Sequence, residues 1–398
     1  MSAPATSIVH FTKDPSQQRY VHVLAKRTYR LRPGEALEPA PDQLAIVLEP
    51  VYYEGDEANP PEWEPDLYAC PRGGTDVVVQ GTAYCPGGPR RELDVSVAVQ
   101  LAGMTRESAA RAARRVRVYG DRSVRWFAGT LSFTDPEPFS TMPLSYLLAY
   151  GGHDHVADLE HPSEHAVWMA KAAGEPVFNH SPYGYARNPV GKGYVVFPSP
   201  KALEGLALPN LELASDLLTP DRLVVGNEER WHLAPRPAGF DWHGEDWFSR
   251  MAFLGMSPEF EGAPGDFAEV REGLIPSVLL EDGLLEGLGS SHAPGFFRAA
   301  SPWLRLTEFT GGELIHLTHM HPTIAELEVP MPKERPQMVL ELDGGAPREL
   351  KAALRTVVIR PDRGELVYVW AGTMPVDGPR TEAQLAKTRH AVRWKKGT

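Results

Sequence analysis

The densest set of metal-ligating side chains in the chain is the run HDHVADLEHPSEH, with His153, Asp154, His155, Asp158, His161 and His165 inside thirteen residues. Imidazole and carboxylate are the usual ligands of zinc and iron, and a loop carrying both could close around an ion that activates a water. The spacing argues against it. In the H-x-H-x-D-H arrangement of metallo-hydrolases position 157 would be aspartate. Here it is Ala157, and Asp158 stands where the third histidine belongs. A second group, His316, His319 and His321, could supply distant ligands, but nothing in the sequence forces the two groups together. The simpler reading is a solvated polar loop. No metal and no cofactor are assigned, and a metal-dependent hydrolase built on the 153–165 loop is kept as an alternative activity.

Other chemistries fare worse. Val190-Gly191-Lys192-Gly193 resembles the end of a phosphate-binding loop, but Gly184 lies seven positions before Gly191 where the pattern needs five, and Gly193 replaces the Ser/Thr. A tight turn leading into the strand YVVF explains it better. There is no G-x-S-x-G elbow. Ser290, Ser291 and His292 are neighbours in sequence, and sequence neighbours rarely form a triad. Glu228-Glu229 and Glu281-Asp282 sit in polar contexts and read as solvated faces. No catalytic residue is assigned, and a non-enzymatic protein is expected.

The one strong positive cluster is Arg106, Arg111, Arg114, Arg115, Arg117, Arg122 and Arg125. No nucleic-acid module accompanies it, and a formal net charge of -12 disfavours a polyanionic partner. Pairing with carboxylates, within the chain or on a partner, suits guanidinium forks better.

These residues must be positioned by short elements. With 38 prolines and 36 glycines spread through 398 residues, long helices cannot form, whereas many strands joined by turns can. No segment reaches the roughly 18 apolar residues of a membrane span, and MSAPATSIVHF has no basic region followed by a secretory apolar run. A cytoplasmic protein with no membrane partner is expected. The two cysteines, Cys70 and Cys85, bracket a run of ten residues. If that run is one strand, its ends lie roughly 33 Å apart. A disulfide needs Cα atoms within about 7 Å, so free thiols are expected.

Alternation of apolar and polar residues predicts strands over 20–31, 75–84 and 93–101. The last is the cleanest, with Leu93, Val95, Val97, Val99 and Leu101 on one face. A short helix is expected within 105–114. Strands at 115–119 and 124–134 are predicted to form a hairpin through Gly120-Asp121-Arg122. A short helix over 143–149 should stop at Gly151-Gly152. From 153 to about 235 the pattern dissolves into loops, apart from a brief strand at 194–197. The best helical candidate is 240–255. Strands return at 337–342, in a hairpin over 356–370, and at 390–394. The fold class is mostly β, with antiparallel, sandwich-like sheets at both ends, an irregular middle and few short helices. The expected division is 1–152, 153–295 and 296–398.

One ordered series resembles a known family. TDVVVQGTAYCPGG, RVRVYGDRSVRW, FSTMPLSYLLAYGG, NPVGKGY and LPNLE, followed by FFRAASPWLR and TVVIRPDRGELVYVW, are similar to a bacterial family known only as domain of unknown function 2169. The resemblance spans roughly residues 20–376. Members of that family accompany type VI secretion spike, tip and effector proteins. The resemblance therefore implies an adaptor or chaperone-like protein that binds a secreted effector or spike-tip protein in the cytoplasm. A structural part of the spike is a further alternative. The matched positions are Gly120, Asp121, Arg122, Trp126, Gly151, Gly152, Asn188, Pro189, Gly191, Gly193, Pro209 and Asn210. Their types point to turns, corners and packing, so they are expected to determine the fold. Client binding is expected on a broad surface with aromatic and arginine anchors, at Trp168, Tyr183, Tyr185, Arg115 and Arg117.

Overall fold

A computed structural model describes residues 6–13, 18–55, 59–67, 73–154, 184–197, 200–226, 233–245, 247–251, 297–306, 309 and 312–395. The fold is mostly β. The largest sheet has seven strands, and its centre is the pairing of Arg19–Arg30 with Glu365–Val376, antiparallel over twelve residues. Ser7–Lys13 adds on one side and Ala352–Arg360 on the other. Beyond the latter come Thr75–Val79, which runs parallel to it, and the short edge Arg305–Leu306. Thr75–Val79 is buried along its whole length. That is why it reads as an apolar run without alternation, as strands covered on both faces do.

A second, five-stranded antiparallel sheet has the order Leu211–Leu213, Arg114–Tyr119, Glu92–Gln100, Leu314–Thr318 and Glu326–Pro330. The alternation read in 93–101 is realised here. Leu93, Val95 and Val97 are buried, and Asp94 faces solvent beside Arg117. A third sheet pairs Arg335–Glu341 with Arg348–Leu350 and Arg389–Lys395. Val23 and Val78 of the first sheet, Val95, Val116 and Ile315 of the second, and Met338 of the third meet in one core. Each fully buried side chain of this size contributes about 1.5–3 kcal/mol of transfer free energy.

The shared core explains a feature the sequence divides differently. Strands from 1–152 and from 296–398 alternate within the seven-stranded sheet, so the two ends of the chain form one hydrogen-bonded unit. A buried ion pair fastens the 44–66 segment to it. Lys26 Nζ donates to Asp66 at 2.8 Å and to the Ala45 carbonyl at 2.9 Å, and lies 4.1 Å from the Trp63 ring centre.

Three further expectations are corrected. Residues 75–84 make two strands, because the chain leaves the large sheet at Gln80-Gly81. Thr82–Tyr84 pairs instead with Thr141–Pro143. The Gly120-Asp121-Arg122 segment is not a hairpin turn. Arg114–Tyr119 pairs in the second sheet, while Val124–Phe127 folds back on Thr130–Phe133 through Ala128-Gly129. Among the described residues of the expected 240–255 helix, only Phe248–Met251 is helical, Trp242 lies against Ala300 as an isolated bridge, and 252–255 lie outside the described residues. The longest described helix is Arg106–Arg111, capped by Thr105, whose hydroxyl accepts from Ser108 N–H. No described helix is long and apolar enough to cross a membrane.

Candidate functional site

The residues of the matched series converge. Tyr150–Gly151 and Lys192–Gly193 form a short parallel pair, brought together by a crossing that only glycine permits. Gly152 has φ +85°, and a Cβ there would stand 2.3 Å from the Gly191 carbonyl oxygen. A Cβ on Gly191 would stand 2.5 Å from the Ala149 carbonyl oxygen and 2.4 Å from Asn188 Nδ2. Asn188 is fully buried and ties the crossing. Its amide donates to the carbonyls of Tyr146 and Tyr150 at 2.9 and 3.1 Å, and its own carbonyl accepts from Gly152 N–H. Pro189 makes the following turn, and Pro209 packs beside Gly193.

Asn210 joins this crossing to the second sheet. Its backbone N–H donates to Leu148, and its side chain donates to the Tyr119 carbonyl and to Asp121. Arg122 pairs with buried Glu212 and lies 3.8 Å from the Tyr119 ring centre. Gly120 is where the 136–138 corner comes closest to the backbone, since a Cβ there would overlap the Glu137 carbonyl. Trp126 belongs to the projecting hairpin, and its N–H donates to Glu204. These residues hold separate segments of the chain together.

Beside the crossing is a pocket of about 370 Å³ including its open mouth, lined among others by Arg187, Arg236, His243, Ser249, Ser301 and Trp303. Buried His243 is held from both sides. Its Nδ1 is bonded to Ser249 Oγ, and its Nε2 lies 2.6 Å from the Tyr146 hydroxyl. Burial holds its pKa well below the ordinary histidine value, and Arg305, Arg250 and Arg114 push the same way. The Tyr146 phenol is raised by burial. Asp241, buried nearby, is pushed up to about 7 by burial, although it accepts from Trp242 N–H and Gln80. Arg250 is paired with Glu64 at 2.8 Å, and Arg298 with Asp76.

Ser249 beside His243 has the form of a nucleophile next to a base. The third group, however, is a phenol. A triad needs a carboxylate to stabilise the imidazolium that forms when the base takes a proton. Here three guanidiniums oppose that charge. The arrangement is built to keep a neutral imidazole in place under a cationic recess, which suits binding an anion better than acyl transfer.

The expected binding anchors part company. Tyr185 is fully buried, donates to the Pro235 carbonyl at 2.9 Å and packs against Tyr150 and Tyr194. It is therefore corrected from a surface anchor to a member of a second core, which also holds Val124, Leu203 and Leu223. Trp168 and Tyr183 lie outside the described residues, as do His155, Asp158, His161, His165, Ser290, Ser291, His292 and Cys70. Arg115 is exposed and donates to the Ala110 carbonyl, whereas Arg117 is paired with Asp94. Arg106 pairs with Glu326 and Glu328, and Arg111 with Glu107, so much of the arginine cluster is matched within the chain.

The part of the histidine loop that is described is structural. Asp154 is buried and accepts from Val196 and Phe197 N–H. His316 bonds Gln100, His319 bonds the Asp94 carbonyl, and His321 bonds Thr323. Among the described residues no three His, Cys, Asp or Glu side chains converge as a metal site. Cys85 carries a free thiol. Trp303, with Arg114 and Arg236 at its ring, was missed by sequence reasoning, and the only signal was the S-P-W-L-R stretch within the family series.

Fold and site together define a mostly β protein, with a glycine-asparagine crossing and an arginine-lined recess beside it. The family described as an uncharacterized protein conserved in bacteria (DUF2169) matches residues 16–371, and the chain belongs to it. No curated protein and no solved structure matches the chain.

Proposed function

We propose that this protein is a non-enzymatic adaptor that holds a client protein in the cytoplasm, the client being a secreted effector or spike-tip protein of a type VI secretion system. The link to secretion rests on the resemblance of the ordered motif series. The observation that carries the binding role is the Val124–Phe127/Thr130–Phe133 hairpin. It forms a two-stranded sheet of its own and presents Phe127, 76% exposed, next to its tip. Ala128 and Gly129 both take positive φ, the geometry of a tight two-residue hairpin turn. A large aromatic held out on a rigid turn loses little conformational entropy on docking, as interface anchors do.

The rest of the chemistry supports the same reading. The polar side chains of the family series, Arg122, Asn188 and Asn210, bond within the fold, and the buried histidine is held by two hydroxyls.

The test is affinity purification of the full chain from its own bacterium, comparing wild type with Phe127→Asp. A secreted or spike-associated protein recovered near stoichiometry by wild type and depleted by the variant is expected. Equal recovery of every protein by both forms removes the hairpin from the account, and a wild type that retains no such protein removes the adaptor role.

A further inference from the structure

We propose that the recess beside Trp303 binds one carboxylate of a polypeptide partner, an Asp or Glu side chain or a chain terminus. The identity of the partner rests on the adaptor reading; the chemistry of the recess does not.

The charge balance points to it. Around the recess Asp76 engages Arg298, Glu64 engages Arg250, and Asp216 is shared between Arg222 and Arg236. Among the described residues no carboxylate lies within ion-pair distance of Arg114 or Arg305. Arg305 donates to the Ala300 and Ser249 carbonyls at 2.9 and 3.2 Å, which places it directly behind lining residue Ser249, and its Nη2 is buried without an acceptor. Arg114 lies 4.5 Å from the Trp303 ring centre, with its Nε buried and also without an acceptor. Burial draws both guanidiniums down to about 9, against the opposing pull of Asp216 on Arg114 and of Asp76 on Arg305. In a chain of net charge -12 this is a local reversal of sign.

Shape selects among anions. The recess is small, and Pro237 and Pro302 line it together with Ser249 and Ser301. A planar two-oxygen acceptor matches guanidinium forks. Trp303 is 47% exposed and has Arg236 at 5.3 Å as well as Arg114 at its ring, so its free surface can cover the aliphatic stem of an acidic residue.

The experiment titrates the full-length protein with N-acetyl-glutamate amide, its neutral glutamine isostere and inorganic phosphate. Binding is followed by calorimetry, with tryptophan fluorescence as a second readout. Saturable binding of the glutamate probe alone is expected. Arg114→Gln and the exposed-site variant Trp303→Ala should each weaken it by about tenfold or more, the loss of one good charged or stacked contact. Circular dichroism checks that each variant is folded, and Trp303→Ala serves if Arg114→Gln is not. Equal binding of glutamate and glutamine probes, binding of phosphate alone, or no binding by wild type overturns the proposal. Client capture that survives both variants at wild-type strength also sinks the recess while leaving the adaptor reading standing. A recess that binds the glutamate probe in a protein that captures no client does the reverse.

Discussion

Gly152 and Gly191 face each other across a gap that admits no side chain, which makes them the sharpest stability probes. Gly191→Ala places a methyl against the Ala149 carbonyl and Asn188. Gly152→Ala adds a positive φ to a similar clash. Each is expected to lower unfolding free energy by about 2 kcal/mol or more in urea titration, as strained or overpacked buried positions do. Gly73→Ala, which meets nothing within 4 Å, is the control and should change stability little. Asn188→Ala strands two buried carbonyls and should cost about 2–4 kcal/mol.

Asp241 makes a pH prediction. Its folded pKa, about 7, lies above the unfolded value, so its contribution is fully present below about pH 4 and is lost as pH rises to about 7. His243, depressed by burial, acts in the opposite sense and loses its contribution as pH falls below about 6.5. The two overlap, so the clean readout is a difference. Asp241→Asn should gain on wild type steadily from pH 4 to pH 7, measured by urea midpoints. A constant offset across that range would mean that Asp241 does not titrate there. The types of these residues were legible in sequence, but their burial was not, because nothing local to the FDWHG stretch says that it will be covered.

At the level of elements, legibility followed locality. The 93–101 strand and the 356–370 hairpin were readable because alternation and a Pro-Asp-Arg-Gly turn are written within one segment. The Gly120-Asp121-Arg122 segment does not form the expected turn because the strand before it pairs with distant Leu211–Leu213, while the strand after it folds back on Thr130–Phe133. Trp242 and Trp247 stand at mixed helical spacing, yet tertiary packing on Trp63 and Tyr146 fixes them instead. The recess was illegible for the same reason. Arg114, Tyr146, Arg187, His243, Ser249 and Trp303 come from separate stretches and share no motif. The Phe127 hairpin yields a prediction that separates binding from folding. Phe127→Asp should leave the thermal midpoint nearly unchanged, because the side chain touches solvent, whereas Val124→Asp at its buried base should destabilise strongly. Equal losses of stability would show that Phe127 is packed.

For the whole molecule, the interleaving of both chain ends in one sheet sets the folding unit. A fragment of residues 1–295 would lack Ala352–Arg360 and Glu365–Val376, leaving one edge of Arg19–Arg30 and the strand Thr75–Val79 unpaired. It is expected to aggregate or to bind a hydrophobic dye, whereas the full chain does neither. A soluble, cooperatively unfolding 1–295 fragment would contradict the shared sheet. The placement of the family series at the crossing fits this picture: its residues join the second sheet to the second core.

The central claim, that the chain is a docking scaffold for a secreted client, is tested most directly by placing a photo-crosslinking amino acid at position 127 of the full-length protein in its own bacterium. After illumination, the account predicts a discrete adduct whose second component is an effector or spike-tip protein. The adduct should be absent when the crosslinker is moved to buried Tyr185. A crosslinker at position 127 that yields no adduct while the bacterium is secreting would contradict the claim.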